Sequence, residues 1–389
     1  MTTLWATIII LGVLITIHEF GHFIAARSVG VRVERFSIGI PPRFITLKSI
    51  DDAIEFNLFF FSWSSEGLRW KSIYKKIIRR PGRIASNTEY VLALLPLGGY
   101  VKMAGFIDEN MDADIRYEKY EFLSQPLWAK IWVLSAGVIM NTILAFFLFA
   151  SIGYYQGLSE ISDKPFISDI VDGHPASVAG INPGDKIVNI NGQDIQTWKE
   201  LSEIINSNPD TKLDFTIDRK GTLETLSITT TSNIRPGTNG MDTLGVIGIY
   251  PEVVYKDLTI KEALAIGFSR TLGSFQMIFD SLKLLAYGSA SVKDFGGPIM
   301  IAQLAGQTAE AGMVPFFTFM ALLSVNLAFL NILPIPGLDG GHIFIHLLEG
   351  IIRRPLTLRM RIAIQQVGMA FLLLLMITII FQDILRLFN

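Results

Sequence analysis

Four stretches of this chain are as long and as apolar as a bilayer is thick, and they limit what it can fold into. A hydrocarbon core of roughly 30 Å takes about 20 residues of helix. Residues 4–26, 131–152, 313–333 and 363–381 meet that length with few charges. In lipid no water satisfies the backbone, so spans of this kind are helices. Charged residues make up 17% of the chain, against about 25% in an average soluble protein. So large an apolar share excludes intrinsic disorder. With Cys 0, a disulfide scaffold and a cysteine-ligated zinc finger are excluded too, so any zinc must use imidazole and carboxylate ligands. A net charge of -2 argues against a dedicated nucleic-acid binder.

Lys and Arg near the span ends set the expected orientation. Arg27, Arg32, Arg35 and Arg43 follow the first span, and Arg353, Arg354, Arg359 and Arg361 follow the third. Residues 27–130 and 343–361 are therefore expected on the cytoplasmic side, with both termini and 153–312 outside. The first span lacks the basic start and small-residue cleavage pattern of a signal peptide.

The expected division is a first span at 1–26, a cytoplasmic loop at 27–130, a second span at 131–152, an external module at 160–250, an amphipathic helical region at 251–311, a third span with its following motif at 312–342, and a fourth span at 363–386. The external module reads as compact α+β. Short β-type runs at 166–171 and 186–190, a tight Asn191, Gly192 turn, a helix over 198–206 and a hairpin over 212–230 are expected. Residues 261–287 have helical apolar spacing through Leu264, Phe268, Phe275, Ile278, Leu282 and Leu285. Glu262, Arg270, Asp280 and Lys283 interrupt any spanning reading, so an interfacial helix is expected there.

The first span carries His18, Glu19, Phe20, Gly21 and His22 in sequence. Positions i and i+4 share a helix face, so both imidazoles can reach one metal, with Glu19 beside them to act on a water. Ionisable side chains inside an apolar helix are expensive and point to function. A catalytic zinc needs a third protein ligand. The run after the third span, from Asn331 through Pro334, Pro336, Gly337, Asp339 and Gly340 to His342, gives an irregular backbone of the kind tolerated at membrane depth where protein buries it or water reaches it. Asp339 is a candidate ligand there, or a solvated residue of a turn leaving the membrane. Of the remaining histidines, His174 lies in a turn of the external module and is expected to be exposed.

These residues carry a resemblance. H-E-F-G-H in the first span, with N-x-x-P-x-P-x-L-D-G-G-H after a later one, resembles the site-2 protease family of intramembrane zinc metalloproteases. One external module ending in residues 245–249 (GVIGI) resembles a circularly permuted bacterial PDZ domain, and the order of parts is similar to the RseP/MmpA branch. Further matches are Phe36, Ser37, Ile38 and Gly39, residues 96–103, and Gly296 to Ile299 before the third span.

The resemblance implies a polytopic α-helical membrane protein with four transmembrane helices, a cytoplasmic-side membrane-associated β-structure and an external PDZ-like domain, in the bacterial inner membrane. It implies His18, His22 and Asp339 as Zn2+ ligands and Glu19 as general base. Asn326 and Asn331 match asparagines that bind the substrate backbone, although Asn326 also reads as an interhelical hydrogen bond. It implies transmembrane-segment substrates, such as a trimmed anti-sigma factor or a remnant signal peptide. The resemblance also implies that the substrate pairs as an added strand, near residues 36–45 and 96–103.

The PDZ-like groove reads either as a peptide site or as a steric plug that excludes bulky substrates. Two other classes are a membrane scaffold with a structural metal and a zinc transporter. A structural site needs no Glu19, and spans two and four offer few polar residues besides Asn141, Gln365 and Gln366. Extra sequence at 45–88 holds Phe56, Phe59, Phe60, Phe61 and Trp63, then a basic run through Lys71, Lys75, Lys76, Arg79, Arg80 and Arg83. It reads as a surface that rests on anionic headgroups, or as an enlarged loop with a small core and a solvated charged face.

Overall fold

The computed structural model describes residues 1–64, 67–82, 85–86, 88–106, 115–237, 240–287 and 296–388. Arg83 of the basic run and the side chains of Trp63 and Leu285 lie outside the described set. In chain order, α1 (Thr2–Ser28) leads into β1 (Val33–Ile50), β2 (Ala53–Ser64), β3 (Gly67–Arg79) and β4 (Glu89–Met103), then α2 (Leu127–Gln156). Next come β5 (Leu158–Ile161), β6 (Ile167–Ile170), α3 (Pro175–Val178), β7 (Lys186–Ile190), β8 (Gln193–Asp194) and α4 (Trp198–Asn206). Then β9 (Lys212–Arg219), β10 (Thr222–Thr229), β11 (Thr231–Gly237), β12 (Gly240–Val246), β13 (Ile249–Pro251) and β14 (Val253–Lys256). The chain closes with α5 (Ile260–Ala286), α6 (Pro298–Ala311), α7 (Met313–Ile332), α8 (Asp339–Ile352) and α9 (Leu358–Phe388). It divides into two units, residues 1–152 with 260–389, and residues 153–259.

Among the described residues of the first unit, α1, α2, α7 and α9 are long and apolar enough to cross a membrane. The 27-residue α5 does not meet that test, because charges break its apolar run. Close packing follows from small residues, which let helix backbones approach. A Cβ at Gly21 would strike the Ala136 carbonyl and the Met140 side chain of α2, and one at Gly137 would sit 2.5 Å from the His18 ring. Ala6, Ile10 and Leu14 of α1 pack with Ala305 of α6 and Met320 of α7. Asp383 of α9 is buried and accepts the Gly297, Ile299 and Met300 amide hydrogens, capping the start of α6. That explains an ionisable residue late in an apolar helix.

The first unit's sheet has the order β3-β2-β1-β4, and its two inner strands each fold back on themselves. Phe36 pairs with both Val101 and Tyr90, and Tyr90 pairs with both Phe36 and Leu47. Across the sheet the ribbons therefore run 96–103, 33–40, 89–93, 43–50, β2, β3. The inner ribbons pack on helices: Val33, Phe36 and Met103 join Phe23 of α1 and Val133 and Leu134 of α2 in one core. The stretch 45–88, open as a loop in the sequence, is mostly β1's second half, β2 and β3. Its aromatic run hides the alternation that marks a strand.

The second unit is built around Ile167, Ile187, Leu201, Leu213, Phe215 and Ile217, all at 2% exposure or less. A four-stranded sheet of order β10-β9-β7-β8 is joined by the ribbons β11–β12, β13–β6 and β14–β5. Thr197 and Glu200 cap α4 reciprocally, each side chain satisfying the other's backbone amide. Asp185, 2% exposed, receives both Nε and Nη2 of Arg219.

Candidate active site

Helix α1 places His18 and His22 one turn apart, and their Nε2 atoms lie 3.2 Å from each other. The third group arrives from α8. After Ile332 the chain leaves α7, passes Gly337 in the left-handed region (φ 100°) and re-enters a helix at Asp339. The turn is tight: a Cβ at Gly340 would strike the Ile332 and Leu333 carbonyls, and one at Gly341 the Ile335 carbonyl. Only glycine fits at those two positions, so the Gly340, Gly341 pair is what lets Asp339 come back. Its Oδ2 ends 3.1 Å from His18 Nε2 and 3.3 Å from His22 Nε2.

The surroundings fix which nitrogen is free. His22 Nδ1 lies 2.8 Å from the Val133 carbonyl oxygen, which can only accept, so Nδ1 carries the proton and Nε2 presents a lone pair. His18 Nδ1 lies 3.4 Å from the side-chain amide of Asn141 on α2, whose oxygen is buried with no partner. Amide oxygen and nitrogen are assigned from the hydrogen-bond network. Turning this amide over gives the orphan oxygen a donor, His18 Nδ1–H, and frees His18 Nε2 as well. Asn141 is itself fully buried and held from α7, where Ser324 Oγ donates to its backbone carbonyl at 2.8 Å.

Glu19 lies on the same helix, and its Oε2 accepts the Val101 amide hydrogen of β4 at 3.0 Å. Thr16 Oγ donates to the neighbouring Gly98 carbonyl at 3.2 Å. A cavity of about 590 Å³ opens over the cluster and is lined by His18, Glu19, His22, Asp339, Asn331 and the 99–101 segment.

Of the residues singled out in the sequence, the structure thus brings together His18, Glu19, His22, Asp339 and Asn331. Asn326 lies on an exposed side of α7 and is not among the cavity's lining residues. His342 borders the cavity, its ring 5.3 Å from that of Phe106. His346 is turned elsewhere, to Glu349 at 3.1 Å, and burial together with nearby Arg361 pushes its pKa down to about 4. Sequence reasoning noted Asn141 only as a stray polar residue. A lone amide in an otherwise apolar span was the available signal. The Val133 carbonyl left none, since any residue supplies one.

The model of peptidase family M50 matches residues 6–67 and 64–375. The chain belongs to peptidase family M50. As an M50 peptidase it is an intramembrane zinc endopeptidase of the site-2 protease type. Regulator of sigma-W protease RasP of Bacillus subtilis is 28% identical over 427 residues, covering 100% of this chain and 99% of that protein. Zinc metalloprotease RasP of Bacillus licheniformis is 28% identical over 427 residues and covered in full on both sides. A Campylobacter jejuni relative is 34% identical over 394 residues, 98% of this chain and 93% of its own. The PDZ domain of an SdrC-like protein from Listeria innocua matches 25% of this M50 chain at 21% identity and a TM-score of 0.19, too low to argue from.

Proposed function

We propose that His18, His22 and Asp339 hold the catalytic zinc ion of this peptidase and that Glu19 is its general base. The observation that carries this is the meeting of three ligand atoms within 4.8 Å of one another. The donor set also fits a cation better than it fits a hydrogen-bond cluster. His22 has a lone pair aimed inward, and Asp339 Oδ2 is buried with no hydrogen-bond partner. Zinc bound there would polarise the scissile carbonyl and lower the pKa of a water.

The chain's own residues supply the remainder. Glu19 takes a proton from the attacking water and passes it to the leaving amine. The Val101 amide holds its carboxylate at the rim of the sheet. Val133 and Asn141 hold the two imidazoles in the orientation and tautomer that bind metal. A peptide bond in a membrane helix must first be unwound. Residues 99–101 border the cavity and give an extended segment an edge to pair with, and Asn331 offers an amide to its backbone.

The substrates on this reading are transmembrane segments of membrane proteins, of the kind left after an earlier external cut. The Arg residues flanking the spans support a cytoplasmic placement of 27–130 and 343–361 and an external unit at 153–259, and the bacterial relatives support residence in a bacterial cytoplasmic membrane. In that external unit, a cavity of about 340 Å³ between α4 and the 245–250 segment supports peptide docking in a PDZ-like groove. The test is cleavage of a model transmembrane substrate by full-length protein in proteoliposomes. Glu19→Gln is expected to keep its zinc and lose about 10²–10⁴-fold in rate, the usual worth of a positioned base. Cleavage at the wild-type rate by the zinc-loaded variant would sink the assignment.

A further inference from the structure

The outer part of the first unit's sheet is two-faced, and one face is bare. Side chains alternate along a strand, so the register sorts them. On one face Ile45, Leu58 and Tyr74 are neighbours across the strands, followed by Leu47, Phe56 and Lys76, then Ser49, Ile54 and Ile78. On the other face Thr46, Asn57 and Lys75 form one row and Lys48, Glu55 and Ile77 the next. That second face is hydrogen-bonded within itself: Asn57 donates to Thr46 and Glu55, and Lys75 pairs with Glu55 at 3.0 Å. The first face has no such partners, and Leu47, Tyr74 and Ile78 are 43–50% exposed. No buried core among the described residues draws a side chain from 54–80. The loop with its own small core, open in the sequence, is therefore not what these residues build.

What covers this face follows from where the same face leads. The row Phe36, Tyr90, Leu47, Phe56 runs across the sheet without a break. At its inner end Phe36 and Tyr90 lie on Phe23 of α1, with ring centroids 5.0 and 6.0 Å away. The apolar face thus turns toward the side where α1 stands and overhangs it. Helix α1 is one of the four able to cross a membrane, and four residues join it to β1. Lipid surrounds such a helix wherever protein does not. Charge agrees: Lys71 and Lys76 of β3 stand on this face, paired with Phe60 and Phe56 of β2, while Glu55, the only acid among the described residues of β2 and β3, lies on the other. Aromatic side chains concentrate at membrane–water interfaces, and Phe60, Phe61 and Trp70 cluster near the far end of the hairpin.

We propose that the β2–β3 hairpin, with the second half of β1, is a membrane-surface anchor. Its Ile45–Tyr74 face rests at the acyl–headgroup boundary of an anionic bilayer, and Lys71 and Lys76 on that face meet the headgroups. The physics is that of an interfacial amphipathic helix, applied to a sheet. The anchor would fix the depth and tilt of the inner ribbons beside the cavity, and in that it rests on the peptidase reading.

Because the chain has Cys 0, single-cysteine labelling is clean. Full-length Tyr74→Cys and Lys75→Cys, spin-labelled in nanodiscs with and without phosphatidylglycerol, report on opposite faces. With phosphatidylglycerol the label at 74 is expected to collide with oxygen several-fold more, relative to an aqueous nickel chelate, than the label at 75. The double variant Lys71→Gln, Lys76→Gln is expected to bring the label at 74 down to its value without phosphatidylglycerol. Equal ratios at 74 and 75 overturn the proposal, and an unaltered ratio in the double variant overturns its headgroup part. A label at 74 shielded from both reagents, with broadening that vanishes on dilution with unlabelled protein, assigns the face to a second copy instead. Neither result depends on cleavage, so a failed anchor and a failed peptidase assignment are separable.

Discussion

The two units of this molecule bury opposite things. The unit carrying the span-length helices hides His18, His22, Asn141, Ser324 and Asp383, while Phe147, Phe371 and Leu374 stay more than half exposed. The 153–259 unit hides Ile187, Leu201, Phe215 and Ile217, all at 0% exposure, and the buried charge it keeps among the described residues, Asp185, is paired with Arg219. One rule produces both: a polar group goes inward only where partners await it, and apolar surface faces whatever solvent does not reject it. The difference teaches where chemistry can be kept. In the first unit the polar interior is the site. In the second the interior is an ordinary core, and only its groove has a surface to offer.

The comparison breaks most visibly at Asp339. Asp339→Ala removes the carboxylate of the proposed metal site, so bound zinc is expected to fall to background by elemental analysis, and cleavage with it. The 153–259 unit should keep its resistance to proteolysis. Phe215→Ala is the mirror experiment. It should cost the second unit about 3–5 kcal/mol, the usual loss for a buried aromatic, read as a lowered urea midpoint by pulse proteolysis. Zinc content should not change, and its loss would mean the two interiors are not independent. Asn141→Ala is subtler, because the residue acts through His18. Loss of such a supporting group typically weakens metal affinity about 10–100-fold, measurable by chelator competition, with the rate restored at saturating zinc.

The smallest effect is in pH. Burial raises the Asp185 pKa, but the Arg219 hydrogen bonds outweigh it and leave the carboxyl below its ordinary value. A depressed folded-state pKa adds stability above the unfolded value of about 3.9, and that stability is lost as pH falls through the folded value. The second unit's urea midpoint should therefore fall on acidification below about pH 4, and less steeply in Arg219→Met. An unchanged acid slope in that variant would remove Asp185 from the account.

How far the sequence could be read follows the same division. The i, i+4 pair His18 and His22 is periodic, so α1 and its two imidazoles were legible at once. The module's helix at Trp198–Asn206 and strand at Lys212–Arg219 were legible from spacing and turns. Asp339 was legible as a candidate, but its return to the histidines depends on a backbone reversal at Gly337, Gly340 and Gly341 that side-chain patterning does not encode. The strand β2 was hidden because consecutive aromatics erase a period of two, and β3 because the pairs Lys75, Lys76 and Ile77, Ile78 do the same. Asn141 carried a weak signal, and Val133 acts through its carbonyl alone.

The most direct measurement is zinc-edge X-ray absorption on the purified full-length protein. The account expects a shell with two imidazole nitrogens at about 2.0–2.1 Å and a carboxylate oxygen at about 2.0–2.2 Å. One imidazole should disappear from that shell in His22→Ala and the carboxylate in Asp339→Asn, if metal is retained at all. A shell without histidine, or one left unchanged by both substitutions, would contradict the site described for His18, His22 and Asp339.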